Sequence, residues 1–211
     1  MSNNLQTLLD KWSATNRSFA YLIVDVQKDF VEGGALGVSG GNEVARRISK
    51  YLRHAQEAYG TVVATRDWHI SPGSHFERWG RHCVANTEGA EFHPDIKTLL
   101  EDYFNGGIVI SKGLYNDGYS GFDGSNLNTQ HGLDKILFER GVKNVVVGGI
   151  ATDYCVRATA LDAAGRGYST YVVTDHIAGV ALESTQDALQ ELEDRGVRLV
   201  SEDALTHGLL S

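Results

Sequence analysis

The run Phe19 to Asp25, FAYLIVD, is apolar or aromatic at every position until its closing carboxylate. A strand with one solvated face alternates apolar and polar residues, whereas a continuous run marks a strand buried on both faces, as in a parallel sheet. Thr61–Thr65, Ile108–Ser111, Val145–Val147, Tyr168–Thr174 and Val197–Ser201 give further strands of the same short, apolar kind. Segments of helical period separate them. One runs from about Asn42 to Tyr59, with Val44, Ile48, Tyr51 and Leu52 on one face and Asn42 as N-cap. Others lie near Ile96–Tyr103, Thr129–Arg140, from the Cys155 turn to about Arg166, and over Glu183–Arg195. Leu5, Leu8, Leu9 and Trp12 predict an amphipathic helix in an N-terminal extension, 1–17. Strand and helix alternating in this way predict a three-layer α/β/α, Rossmann-like architecture around a six-stranded parallel sheet.

A chain of 211 residues is long enough for one sizeable core, and 1–211 reads as a single domain. A formal net charge of −8 argues against a nucleic-acid partner, which usually meets a basic face. No apolar run reaches the 18 residues that a membrane span needs, and the first residues, MSNNLQTLLDKW, lack the pattern of a signal peptide. Two cysteines make no disulfide framework, so a cytoplasmic protein is expected. A monomer or homodimer acting on a small molecule fits these bounds.

In open parallel sheets, ligands bind beyond the carboxyl ends of the strands. Asp25, Asp67, Lys112 and Cys155 all fall at or just after such an end. In VVVGGIATDYCVR, 145–157, a strand and a glycine turn lead to a helix start at Thr152 or Asp153, which places Cys155 in the first helical turn. Unpaired N–H groups and the helix dipole there lower a thiol's pKa and make it a nucleophile near neutral pH. The alternative is a buried packing cysteine. Asp25 is the candidate base for the thiol proton, and Lys112 the cation that keeps Asp25 charged; an ion pair at the sheet edge is the alternative for these two. Residues 66–107 form a long irregular insertion with four of the eight histidines. Within it, Asp67 and His69 stand two apart at a strand end, with His75 and His82 beyond. One carboxylate and three imidazoles suit a borderline divalent metal: zinc, iron or manganese. His54, His93, His131, His176 and His207 read as scattered residues, and Cys83 as packing.

Taken in order, VDVQKDF (24–30), GGALGVSGG (33–41), TRDWH (65–69), SKG (111–113), YSGF (119–122) and GIATDYCV (149–156) resemble the nicotinamidases/pyrazinamidases of the isochorismatase-like cysteine hydrolase superfamily. The resemblance runs from about residue 19 to 201. It implies a catalytic triad of Asp25, Lys112 and Cys155. It implies a metal held by Asp67, His69, His75 and His82. It also implies an oxyanion hole from the N–H groups of Ala151 and Cys155, with a cis peptide between Ile150 and Ala151. Phe30, Trp79, Tyr119 and Ile150 would line the substrate pocket, with a nicotinamide ring between Phe30 and Trp79. The implied activity is hydrolysis of nicotinamide to nicotinate and ammonia through a thioester, in NAD salvage. The implied strand order, 3-2-1-4-5-6, sets the Lys112 strand two places further from Cys155 than the Asp25 strand. Tyr154 stands where some relatives carry histidine.

Three rivals stand beside this reading. Another cysteine amidohydrolase of the same superfamily would act on a carbamoyl or ureido substrate, although a metal site is of no obvious use to it. Vinyl-ether hydrolysis does not require Cys155. A non-catalytic flavodoxin-like binding protein would have a structural cysteine, but no GxxxxGK[ST] phosphate loop is present.

Overall fold

The computed structural model describes residues 18–209. The helix expected within 1–17 lies outside the described residues. Six strands build one parallel sheet: β1 (Phe19–Val24), β2 (Thr61–Asp67), β3 (Ile108–Lys112), β4 (Asn144–Ile150), β5 (Ser169–Ala178) and β6 (Arg198–Val200), in the order β3-β2-β1-β4-β5-β6.

The apolar run at 19–24 becomes the central strand, and the pleat sends alternate side chains to opposite faces. Tyr21 and Ile23 enter one core with Val44, Ile48 and Leu52 of α1 (Gly41–Ala55) and Ile96, Leu99 and Leu100 of a helix over Pro94–Phe104. Ala20, Leu22 and Val24 enter the other. There they meet Leu133 and Leu137 of the helix Leu133–Glu139, Ala160 and Ala163 of Arg157–Gly165, and Leu192 of Leu182–Asp194. In chain order, α2 is His75–Trp79. The four helices just named are then α3 to α6, and a short α7 spans Glu202–Ala204. All six residues of β1 are buried, which the unbroken run foretold.

Three local expectations are corrected. Asn42 does not cap α1: the cap residue is Gly40 at φ 87°, and the Glu32 carboxylate accepts hydrogen bonds from Gly40 N (2.6 Å) and Asn42 N (2.8 Å). The segment 66–107 is not wholly an insertion, because β2 runs to Asp67 and α3 is the crossover helix between β2 and β3. The irregular part between them holds the five-residue α2, too short to show a period. The helix does start at Thr152 with Cys155 in its first turn, but that turn is not α-helical. Thr152–Val156 forms a π-turn ahead of α5, with Val156 N donating to Ala151 O at 3.1 Å.

The order puts β1 beside β4 where the chain changes direction across the sheet, and the strand ends part there. Gly149 (φ 140°) makes that junction possible. A Cβ on it would lie 2.0 Å from Val24 O, so only glycine lets β4 pass the end of β1.

Candidate active site

Asp25 follows directly on β1, with a positive φ of 49° and its N–H on Thr65 O (3.2 Å). A non-glycine residue in that region carries backbone strain of about 1–3 kcal/mol and marks functional sites. Here the strain accompanies a carboxylate held at the switch point. Thr65 Oγ1 donates to Asp25 Oδ1 (2.6 Å), and Lys112 Nζ lies 2.8 Å from Asp25 Oδ2. Lys112 Nζ also donates to Asp67 Oδ1 and lies 3.6 Å from Cys155 Sγ. The structure therefore brings Asp25, Lys112 and Cys155 together. The two-strand separation that set Lys112 apart, roughly 10 Å between strand axes, is crossed by its four-carbon stem. Asp67 and Lys112 are register partners, so the stem starts beside Asp67 and passes over the end of β2.

These charges are buried: Asp25 is 0% exposed, Lys112 1% and Asp67 4%. Burial outweighs Lys112 at Asp25 and holds its carboxyl above the usual range. At Asp67 burial also pushes upward, but Lys112 and His69 more than offset it and hold the carboxyl at about 2. At Lys112, burial works against the charge, yet Asp25 and Asp67 win and keep the ammonium firmly protonated.

The thiol departs from the expectation. Burial pushes the Cys155 thiol well above its ordinary range; Lys112 opposes this, while Asp25 and Asp67 add to the rise. Burial and the two carboxylates favour the thiol form, and Lys112, 3.6 Å from Sγ, is the group that favours the thiolate. Two features set this thiol apart from one at an ordinary helix start. The residue sits in a π-turn, and two carboxylates surround one ammonium.

His69, His75 and His82 converge, with one ligand atom from each within 4.8 Å of the others. His75 Nε2 and His82 Nε2 are 3.3 Å apart, and Asp67 Oδ2 lies 3.5 Å from His69 Nε2 and 3.9 Å from His82 Nε2. The outer nitrogens are occupied. His69 Nδ1 is bonded to Gly113 O, His82 Nδ1 to Gly80 O (2.9 Å), and His75 Nδ1 to Asp117 Oδ1 (3.1 Å). An acceptor on Nδ1 fixes the tautomer and leaves the Nε2 lone pair free. His69 Nε2 is buried with no hydrogen-bond partner. Burial also lowers the His75 and His82 pKa values, which keeps those rings neutral. Buried imidazoles with an orphaned nitrogen and a carboxylate beside them fit a divalent metal ion.

A cavity of about 290 Å³ opens onto both clusters, near the small end of ligand pockets at roughly 300 Å³. Phe30, Trp79, Tyr119, Ile150, Ala151 and Cys155 line it together with Asp67, His75 and His82. Trp79 Nε1 donates to Tyr119 Oη (2.9 Å), and the Phe30 ring lies 5.6 Å from that of His82. The Ile150–Ala151 peptide is cis.

Several residues in this region carried no signal in the spacing. Tyr154 lines the cavity with its ring at 89° to Trp79, as do Leu36, Val38 and Val180. Gln27 is buried and clamps β2 to the loops: Nε2 donates to Asp67 O and Ala90 O, and Oε1 accepts from Asp67 N. Its place inside VDVQKDF was the available clue. Asp153 accepts from Val180 N (3.0 Å) and Ser184 Oγ (2.5 Å), tying the π-turn to the start of α6. Cys83 is buried packing, as expected, and its carbonyl accepts the His69 N–H. His176 is not merely scattered, since it is fully buried between Tyr21 and Glu202.

A family model, Isochorismatase domain, matches residues 19–204. The nicotinamidase/pyrazinamidase of Mycobacterium tuberculosis is 47% identical over 188 residues, covering 86% of this chain and 97% of its own length. The pyrazinamidase of Pyrococcus horikoshii, solved in complex with zinc, superposes with a TM-score of 0.76 at 40% identity, covering 87% of this chain and 99% of its own. PnC1 from L. infantum, solved in complex with nicotinate, gives 0.77 at 32% identity, over 90% and 95%. With the six-stranded order, the strand-end residues and these relatives in agreement, the chain belongs to the isochorismatase domain family, within its nicotinamidase/pyrazinamidase group.

Proposed function

We propose that this protein hydrolyses nicotinamide to nicotinate and ammonia, accepts pyrazinamide in the same way, and serves NAD salvage. The observation that carries this reading is Asp67. One of its oxygens accepts from Lys112, and the other faces His69 and His82, so the nucleophile cluster and the imidazole cluster share one cavity. Aromatic walls at Phe30, Trp79 and Tyr119 suit a flat ring. A ureido or carbamoyl substrate would leave both the imidazoles and these walls without a purpose.

Held by Asp67, His69, His75 and His82, a divalent ion (zinc, iron or manganese) supplies a Lewis-acid seat for a ring nitrogen. The protein's own residues carry out the covalent chemistry. The Cys155 proton passes to Asp25 as Sγ attacks the carboxamide carbon, with Lys112 Nζ 2.8 Å from Asp25 Oδ2 and 3.6 Å from Sγ to hold both groups at the reacting centre. Lys112 stays cationic and balances the charge transiently gathered on sulfur and carboxylates. The Ala151 and Cys155 N–H groups hold the tetrahedral oxyanion, each donor contributing about 3 kcal/mol. The C–N bond breaks as Asp25 returns its proton to the leaving nitrogen, and ammonia departs. Water then adds to the thioester with its proton taken by Asp25. The C–S bond breaks, and the thiol is restored.

The activities of its relatives support this reading. With it go a single domain over 1–211, a cytoplasmic setting for two free cysteines, and action as a monomer or homodimer. Among the described residues no helix is long and apolar enough to cross a membrane.

Ammonia release from nicotinamide, measured for the wild type and for Cys155→Ala, tests the proposal. Release by the wild type alone is expected, with the variant's melting temperature retained. Equal release by both would remove Cys155 as nucleophile; no release by metal-loaded wild type would move the search to ureido amides.

A further inference from the structure

The three imidazoles are not held alike. His69 and His82 give their Nδ1 positions to backbone carbonyls, those of Gly113 and Gly80. His75 alone faces a side chain, Asp117 Oδ1 at 3.1 Å. A carbonyl fixes the tautomer with a partial charge. A carboxylate fixes it with a full charge, which also makes the ring a stronger electron-pair donor at its other nitrogen. That other nitrogen, His75 Nε2, is the one aimed at His82 and the cavity.

The second oxygen of Asp117 accepts from Arg78 NH1 at 3.2 Å. His75 and Arg78 both belong to α2, so one carboxylate grips the helix twice. Two residues further on, Tyr119 accepts from Trp79 of the same helix. The loop after β3 is thus clipped to α2 at two points, one of which ends on a proposed metal ligand.

We infer that Asp117 is a positioning residue of the metal centre: it holds His75 in its Nε2-donor form, and its charge raises the affinity of the site for a divalent ion. The inference rests on the reading of Asp67, His69, His75 and His82 as ligands. A merely structural Asp117 would pin the loop equally well with a neutral amide.

Zinc affinity, read by competition with a chromophoric chelator on the metal-free full chain, separates the two roles. Asp117→Asn keeps the shape and an acceptor but loses the charge. It should bind zinc about 10-fold more weakly, the low end of the range for outer partners of metal ligands, because the Asp117 side chain is 36% exposed. Asp117→Glu, which restores the charge, should recover most of that loss. Cobalt(II) bound in place of zinc should show displaced visible bands in the Asn variant only. Wild-type zinc affinity and unchanged cobalt bands in Asp117→Asn would overturn the inference, as would a Glu variant as weak as Asn. A wild type that takes up no zinc or cobalt in the same titration would instead overturn the ligand assignment on which it rests.

Discussion

Lys112 is the residue on which the charge balance of the site depends. It is an ammonium buried between Asp25 and Asp67, and each carboxylate is buried too. Removing one partner of a buried ion cluster leaves uncompensated charge and costs about 3–5 kcal/mol. Lys112→Met should lower the unfolding free energy by that amount in urea titration, beyond any loss of activity. A change below 1 kcal/mol would mean that the two carboxylates do not both carry charge. Asp25, Asp67, Lys112 and Cys155 were legible in the sequence because each closes or follows an apolar strand. The sign of the Cys155 shift was not. It depends on burial and on carboxylates that β1 and β2 deliver from positions 130 and 88 residues earlier in the chain.

At the scale of elements, the loop after β3 does more than connect. Gly113 follows Lys112 immediately, with φ at 67°, and its carbonyl holds His69 Nδ1. A Cβ there would lie 2.6 Å from His69 Cε1, so the loop and the imidazole can pack only around glycine. Gly113→Ala should therefore displace His69 and weaken zinc retention, besides a backbone cost of roughly 1–2 kcal/mol. Zinc per chain after dialysis measures this; full retention would show that the loop can yield without moving the ring. The strands and long helices were legible from their apolar periods. The π-turn, the five-residue α2 and the Glu32 cap of α1 were not, because each is shaped by contacts that carry no period.

Across the whole molecule, β1, β5 and the C-terminal segment are joined by a polar chain that runs from buried Tyr21 through buried His176 to a half-exposed Glu202. Tyr21 Oη lies 2.8 Å from His176 Nδ1, and His176 Nε2 lies 2.9 Å from Glu202 Oε2. Burial outweighs Glu202 and holds the His176 pKa below 6.5. Below that pH the unfolded chain binds the proton more readily than the folded one, so stability is present above pH 6.5 and declines as pH falls through it. Urea midpoints at pH 7.5 and 5.5 should differ more for the wild type than for His176→Gln, compared without metal. An identical pH slope in both would sink the assignment.

By itself, the sequence determined the parallel α/β class, the strand ends that carry Asp25, Asp67, Lys112 and Cys155, and the histidines between β2 and β3. Those features are local: hydrophobic period and the polarity of the residue that ends each run. Tertiary structure alone decided that Lys112 reaches across β2, that Asp67 serves two clusters at once, that burial and two carboxylates push the Cys155 thiol upward, and that Asp117 stands behind His75. These depend on distances between chain segments far apart in sequence and on the loss of water around them. Neither quantity exists until the sheet closes.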